Sequence, residues 1–417
     1  MAPEPLLTDI SLLPPSPSLH HSLRLIPDPR DQRRPQHALP DLLFIALCSL
    51  LSGGDSFLDM ADFARDEAAW LRTVIPFKGG PPSHDTFTRV FALLDTHAFE
   101  HAVRLWMRQL LNTNPPPFPA AAASGPTASG PVPAALPPLR QIACDGKTLR
   151  GSRRGAPGAL QMAATVNLWS TEEGLCLAQR RIPEASGEGP QCELLLRHLQ
   201  LKGVILSGDA AYCQHSLASY INAQEGDYVL NLKGNQPEAK EEIHPLLETL
   251  AASRPPDVEQ IEKGHGRLEI RRCWVTGEVA DLACRGQWSG LTSLALCERE
   301  TLDLITGKTT IGRRFFVTSL QPDAKLIARC VRQHWQVENS LHWRLDVIFR
   351  EDFQRCRSGY AATNLSLLRK MSLNLLLKAS PPGMSLKRMR LRTARKLDQL
   401  TKIIAPLLEN DPNFVNA

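Results

Sequence analysis

The chain has 417 residues, 43% of them hydrophobic and 22% charged, with a formal net charge of +5. That is enough chain for two or three domains with sizeable cores, and the composition excludes a disordered or fibrous protein. So mild a positive charge suits nucleic acid only where it is clustered, and it is clustered from Lys378 to Lys396, where Lys378, Lys387, Arg388, Arg390, Arg392, Arg395 and Lys396 stand without an acid.

Residues 1–35 read as an extended, proline-rich segment ending in Arg30-Asp31-Gln32-Arg33-Arg34. With Glu4 and Asp9 among scattered prolines, it lacks the basic-then-apolar order of a signal peptide. Residues 36–112 form a helical domain. Leu42-Leu43-Phe44-Ile45-Ala46-Leu47 is a buried helix, Asp55 or Ser56 caps the next, and Pro81-Pro82-Ser83-His84-Asp85 is a turn and cap before a third. Short helices with tight turns fit either helix-turn-helix DNA binding or a helical packing module, and this region, with many acids among its basic residues, is expected to serve recognition or dimerisation more than bulk affinity. The longest apolar run, Leu42 to Leu51, is too short to span a bilayer, so no membrane partner is expected. Residues 113–138, rich in Pro, Ala and Ser, read as a semi-flexible linker.

Strand patterns dominate from 139. Ile142–Asp145 is one strand, and Ala163–Trp169 pairs with Leu175–Gln179 as a hairpin. A helix from Cys192 to Leu201, a strand at Val204–Asp209, a helix from His215 to Gln224 and a strand at Tyr228–Leu232 follow. Three strands, helix, strand, helix, strand is the ribonuclease-H-like order, which speaks to fold and not to function. The fold class expected is therefore α/β: a ribonuclease-H-like core over 139–378 with a β-rich insertion at 241–320, preceded by an all-α domain and followed by a basic helical region at 379–417. One helix is expected from Asp323 to about Phe349.

Ten cysteines without a C-x-x-C pair argue against a zinc ribbon or finger and suit a reducing cytoplasm. Asp145 and Asp209 each end an apolar strand. Asp-Gly at 145–146 also fits a simple turn. Glu338 falls in the apolar stripe with Val331, Leu341 and Leu345, which would put its carboxylate on the inward face. A buried carboxylate is costly unless paired or bound to metal. Two strand-end aspartates and a helix glutamate can converge on divalent ions, a trio suited to phosphodiester chemistry because two metals clamp the attacking and leaving oxygens. A salt bridge from Glu338 to Arg332 or Lys147 is the plainer alternative, and Asp346, Glu351 and Asp352 are fallback acids. His334, Glu338 and His342 recur at four-residue spacing, as zinc ligands can, but without the H-E-x-x-H order.

Trp335 and Trp343 flank the glutamate and suit base stacking or core packing. Lys233, Asn235 and Gln236, just past a strand, suit a phosphate and a base edge or a hydrophilic turn. His265, Arg267 and Arg271 give a polar strand face in the insertion, to DNA or to solvent. Lys387, Arg388, Arg390 and Arg392 are expected on phosphates.

These residues carry a resemblance. Asp145-Gly146-Lys147-Thr148-Leu149-Arg150-Gly151-Ser152, Asp209-Ala210 with Gln214, Tyr228 through Pro237, His265-Gly266-Arg267, and His334-Trp335-Gln336-Val337-Glu338-Asn339-Ser340-Leu341-His342-Trp343 resemble the H-repeat-associated insertion-sequence transposases of the DDE type. So do Asp28-Pro29-Arg30 and Pro82-Ser83-His84-Asp85-Thr86, and the likeness runs from about residue 25 to 400. The resemblance implies a catalytic and metal-binding triad on Asp145, Asp209 and Glu338, two Mg²⁺ ions with Mn²⁺ as substitute, and an N-terminal associated domain. It adds Lys147, Arg150, Arg332, His334, Asn339 and His342 to the expected DNA contacts. It also implies cleavage at the ends of the protein's own element, freeing a 3′-hydroxyl that attacks target DNA, with double-stranded DNA as partner and a homodimer in the active complex. The expected place is the bacterial cytoplasm, at the nucleoid. The linker before Asp145 departs from the family. So do Ala185-Ser186-Gly187-Glu188, where Lys-Ser-Asn-Glu is typical, and Val331, His334 and Leu345, which hold the tyrosine, arginine and lysine places of a related helix signature. Two other classes stay open: a DNA-binding protein that no longer cuts, and a nuclease without strand transfer.

Overall fold

The structure is a computed structural model and describes residues 19–30, 35–112, 140–155, 161–264 and 266–408. The expected linker at 113–138, most of the 1–35 segment and His265 lie outside the described residues. Helices α1 (Leu19–Arg24), α2 (Leu39–Leu51), α3 (Phe57–Asp66), α4 (Ala68–Val74), α5 (His84–Leu93) and α6 (Thr96–Asn112) come first. Then follow β1 (Arg140–Thr148), β2 (Ala164–Ser170), β3 (Leu175–Ile182), α7 (Glu188–Leu196), β4 (Val204–Gly208), α8 (His215–Ala223), β5 (Asp227–Leu232) and α9 (Pro237–Ser253). Strands β6 (Val258–Gly264), β7 (Arg267–Thr276), β8 (Ser293–Asp303) and β9 (Thr309–Thr318) precede α10 (Ala324–His334), a π-helical turn (Val337–His342) and α11 (Trp343–Val347). Helices α12 (Ala361–Ala379), α13 (Leu386–Arg395) and α14 (Leu397–Leu408) close the described chain.

Two compact units result, one within residues 1–125 and 348–417, the other within 126–347. In the first, Ser56 caps α3 through a capping box with Asp59, and the Ser83 hydroxyl accepts from the Thr86 amide at the start of α5. Helix α12 packs against α2, α5 and α6 and is buried on nearly every side, from Thr363 to Leu376. A helix with no polar face must be surrounded. That is why α12 sits in this unit and not in the 139–378 domain expected from sequence. Several of its buried donors find partners nearby: the Asn364 amide nitrogen donates to the Phe91 and Leu94 carbonyls, and Lys370 Nζ donates to Ser366 Oγ.

The second unit is built on one nine-stranded sheet of order β3-β2-β1-β4-β5-β9-β8-β7-β6. Strands β1, β2 and β3 are antiparallel, while β1, β4 and β5 are parallel. Every residue of β4 is buried, as a central parallel strand requires. The 241–320 insertion holds strands, as expected, but they form no separate sheet. Strand β9 pairs antiparallel with β5, Val229 opposite Thr318, and β8, β7 and β6 extend outward from it. One face of the sheet carries α7, α8 and α9 over a core that includes Leu206, Leu230 and Val317. The other carries α10, with Ile327 and Cys330 on Ile205, Val229 and Phe316.

The single helix expected over 323–349 is instead three segments. Asp323 caps α10 by accepting from the Lys325 and Leu326 amides, and the π turn interrupts the run before α11. Among the described residues no helix is long and apolar enough to cross a membrane.

Candidate active site

Parallel pairing of β1 with β4 places Cys144 opposite Gly208. The next residue on each strand is an aspartate, so Asp145 and Asp209 leave neighbouring strands at one level, at the C-terminal end of the parallel pair. Crevices outside those ends are where open α/β sheets bind ligands. Asp209 Oδ1 accepts from the Ala211 amide at 2.9 Å, which orients its carboxylate. Glu338 comes from the π turn, a distortion that recurs at functional sites. Asp145, Asp209 and Glu338 line one cavity of about 120 Å³, with Lys233, Arg314 and His334 in its wall.

Two expectations need correcting here. Glu338 is exposed, not inward: Val337 and Leu341 fill the buried face and the π turn directs the carboxylate to the cavity. Asp145-Gly146 is no turn either, since β1 runs on to Thr148. Gly146 accommodates a close approach: a Cβ there would displace the Glu188 carboxylate. Glu188, the first residue of α7, thereby brings a fourth acid to the site, and the sequence reading had not placed it among the site residues. A signal for it lies in the Ala185-Ser186-Gly187-Glu188 stretch, which keeps the glutamate of the family's Lys-Ser-Asn-Glu.

Crowded carboxylates with little solvent resist ionising. Burial, then Glu338, Asp209 and Glu188, push the Asp145 carboxyl up to about 8. Burial raises Glu188 as well. His342 Nδ1 lies 3.4 Å from Asp145 Oδ2. Burial drives His334 down to about 4, and its Nδ1 is 3.1 Å from Ser207 Oγ, so this imidazole is neutral at physiological pH. Among the described residues no three His, Cys, Asp or Glu close into a ready metal cage. The carboxylates share a cavity without meeting at a point, and the zinc reading of His334, Glu338 and His342 gains no support. The carboxylates that face the cavity offer oxygen donors, the chemistry of a hard divalent cation, with the His334 imidazole in the same wall.

The expected DNA contacts divide. Lys233 stands exposed at the cavity, and Arg150, Arg267, Asn339, Lys387, Arg388 and Arg392 are exposed elsewhere. Trp343 is 55% exposed. Others are committed within the fold. Lys147 is buried, its ammonium 2.8 Å from Asp346 Oδ2, which also engages that fallback acid. Asn235 donates to the Ala210 and Cys213 carbonyls and Gln236 to Cys213, so both amide nitrogens pin the loop after Asp209. Arg271 pairs with Glu262 and Glu269, and Arg332 with Glu262 at 2.8 Å. Trp335 lies under the Arg314 guanidinium, 4.2 Å from its centre. Arg390 is buried in the first unit, donating to the Leu50, Gly54 and Ile348 carbonyls and to Asp55, so it is no phosphate contact. Glu351 and Asp352, the other fallback acids, belong to the first unit.

Residues 137–375 match the family described as "Transposase DDE domain", and residues 20–107 match "DDE_Tnp_1-associated". The "H repeat-associated putative transposase YhhI" of Escherichia coli (strain K12) is 31% identical over 93% of this chain and 97% of its own length. The "Putative transposase YncI" of Escherichia coli O157:H7 is 32% identical over 94% of this chain and 95% of its own. An "Uncharacterized protein in dhlA 3'region" of Xanthobacter autotrophicus is 39% identical over 72% of this chain and 93% of its own. Among solved structures, a piggyBac transposase synaptic complex with hairpin DNA is matched at 11% identity over 92% of this chain and 76% of that one, with a TM-score of 0.41, too low to add to the assignment. With a DDE domain over more than half its length and relatives matched nearly end to end, the chain belongs to the DDE transposases, in the company of the H-repeat-associated proteins.

Proposed function

We propose that this transposase binds the ends of its own insertion sequence, cuts there and joins the freed end to target DNA, on a ribonuclease-H-like core whose triad is Asp145, Asp209 and Glu338. The observation that carries the reading is the convergence of these three carboxylates on one cavity beside the exposed Lys233. Their chemistry fits two Mg²⁺ ions, with Mn²⁺ as substitute: the donors are oxygens, and Asp145 ionises only with difficulty while no cation offsets its neighbours. When bound, such ions act as Lewis acids on the attacking and leaving oxygens of a phosphodiester.

The chain's own residues do the rest. Asp145, Asp209 and Glu338 would hold the ions. Asn235 and Gln236 keep the Asp209 loop in place through the Ala210 and Cys213 carbonyls. Lys233 at the rim meets a phosphate. In the first reaction a water oxygen bonds to phosphorus at the element end and the 3′-oxygen leaves, taking a proton. In the second, that 3′-hydroxyl oxygen bonds to a target phosphorus, and the target 3′-oxygen leaves and takes up the proton the hydroxyl gives up, so phosphodiester bonds are exchanged without net loss. The protein acts as a homodimer on double-stranded DNA in the bacterial cytoplasm, at the nucleoid.

The test is strand transfer in vitro. Purified full-length protein, Mg²⁺, a duplex carrying the DNA that flanks the gene and a supercoiled plasmid should yield plasmid with the duplex end joined to it. Cleavage without joining would leave a nuclease. Binding without cleavage would leave a DNA-binding protein.

A further inference from the structure

The insertion strands carry their charges differently on the two faces of the sheet. On the α9 face, register aligns Glu259, Arg272, Glu298 and Arg313 across β6, β7, β8 and β9. That row is an alternating ion-pair ladder: Arg272 meets Glu259, Glu298 and Glu300, and Arg313 meets Glu298 and Glu248. On the α10 face, Arg271 stands directly opposite Arg299, and Arg299 stands opposite Gly312. Like charges opposite one another destabilise a sheet. Glu262 and Glu269 compensate Arg271. The Arg299 side chain has no hydrogen bond or ion pair among the described residues. Neither has Arg314, which sits diagonally across from it, opposite Cys297, and stacks on Trp335. Arg314 feels the crowding: burial and the Arg299 charge hold its guanidinium below the usual value, against the smaller pull of the Glu338 and Asp209 carboxylates.

These two arginines border a cavity of about 360 Å³ between the sheet and the α10 segment. Arg314, Val331 and Trp335 line both this cavity and the one holding Asp145, Asp209 and Glu338. A sheet face that keeps two neighbouring guanidinium groups without a hydrogen-bonded partner, beside a neutral ladder, is suited to an anion from outside. Gly312 opposite Arg299, with open space around it, leaves room for one. We propose that Arg299 and Arg314 bind successive phosphates of the DNA strand whose end enters the carboxylate cavity. Guanidinium forks match phosphate oxygens in geometry and charge. The assignment rests on the DNA reading above and names where the strand runs as it leaves the site.

The test uses the full chain and a fluorescein-labelled duplex of mixed sequence, titrated by anisotropy over a range of salt. Arg299→Gln and Arg314→Gln should each weaken binding about tenfold, the loss expected of one charge-assisted contact. Each should also flatten the slope of log affinity against log salt by roughly 0.9. Arg314→Lys should restore most of the slope. Arg313→Gln, on the ladder face, should lower the melting temperature and leave the slope unchanged. Arg299→Gln should not lower the melting temperature of the free protein, because it removes a repulsion. Wild-type affinity and slope in both Arg299→Gln and Arg314→Gln would overturn the proposal while leaving the functional reading intact. Absence of duplex binding by the wild-type chain would overturn that reading and this proposal with it.

Discussion

Asp145 is the residue at which the site's chemistry becomes measurable. In the unfolded chain its carboxyl titrates near the ordinary value of 3.8, and in the fold it is pushed up to about 8. The folded state therefore holds a proton that the unfolded state has released between these values. Its contribution to stability is complete below pH 3.8 and is lost as pH rises through about 8. Metal-stripped protein is thus expected to melt at falling temperature between pH 5 and pH 8 on this account, and Asp145→Asn should flatten that decline. Mg²⁺ should raise the melting temperature most near the upper end, where no proton competes for the carboxylate. Glu188→Gln should move the decline to lower pH, since one of the charges opposing Asp145 is gone. A wild-type curve that is flat from pH 5 to 8, or one that Asp145→Asn leaves unaltered, would contradict the crowded-acid description. Arg390 gives a second contrast. Arg390→Ala removes a buried charge from Asp55 and three carbonyls and should cost about 3 kcal/mol or more in chemical denaturation. Arg388→Ala and Arg392→Ala, on the exposed side of α13, should change stability little and reduce the salt dependence of DNA binding.

At the level of elements, strand ends were legible and helix detail was not. Ile142–Asp145 and Val204–Asp209 announce themselves as apolar runs stopped by an acid, and both aspartates reach the cavity. Ser56 and Ser83 announce their helices through cap chemistry. The π turn left no such mark. Its extra residue per turn is set by what Val337 and Leu341 pack against, so a regular 3.6-residue wheel turned Glu338 inward when it faces the cavity. The partners of Lys147, Asn235 and Arg390 were equally hidden, because a sequence shows a donor's type and not whether the fold has already used it. Gly146 carries the opposite lesson. Asp-Gly suggested a turn, yet the glycine sits in mid-strand to admit Glu188. Gly146→Ala should displace that carboxylate, which is the far end of a flexible side chain, at a cost to stability of about 1 kcal/mol or less. Calorimetric titration with Mn²⁺ should show altered affinity, and unaltered affinity would remove Glu188 from the neighbourhood of the ions.

On the scale of the whole molecule, chain order and compact units diverge. Sequence composition marks a boundary at the 113–138 linker, and nothing in composition shows that α12, more than two hundred residues later, completes the helical unit. Fifteen buried residues of α12 rely on that unit for cover. Deleting residues 1–112 should therefore leave α12 without α2, α5 and α6, and the truncated chain should aggregate or be cut rapidly in limited proteolysis. A soluble, protease-resistant truncation would show that α12 finds its cover elsewhere.

The central claim, that Asp145, Asp209 and Glu338 form a metal-dependent DNA-cutting centre, is tested most directly by comparing wild type with Asp145→Asn on one duplex carrying the gene's flanking DNA, with Mg²⁺. The variant keeps the shape of the side chain and removes the charge. Loss of cleavage with duplex binding retained, together with loss of the Mg²⁺-induced rise in melting temperature, is the predicted result. Undiminished cleavage by the variant would contradict it.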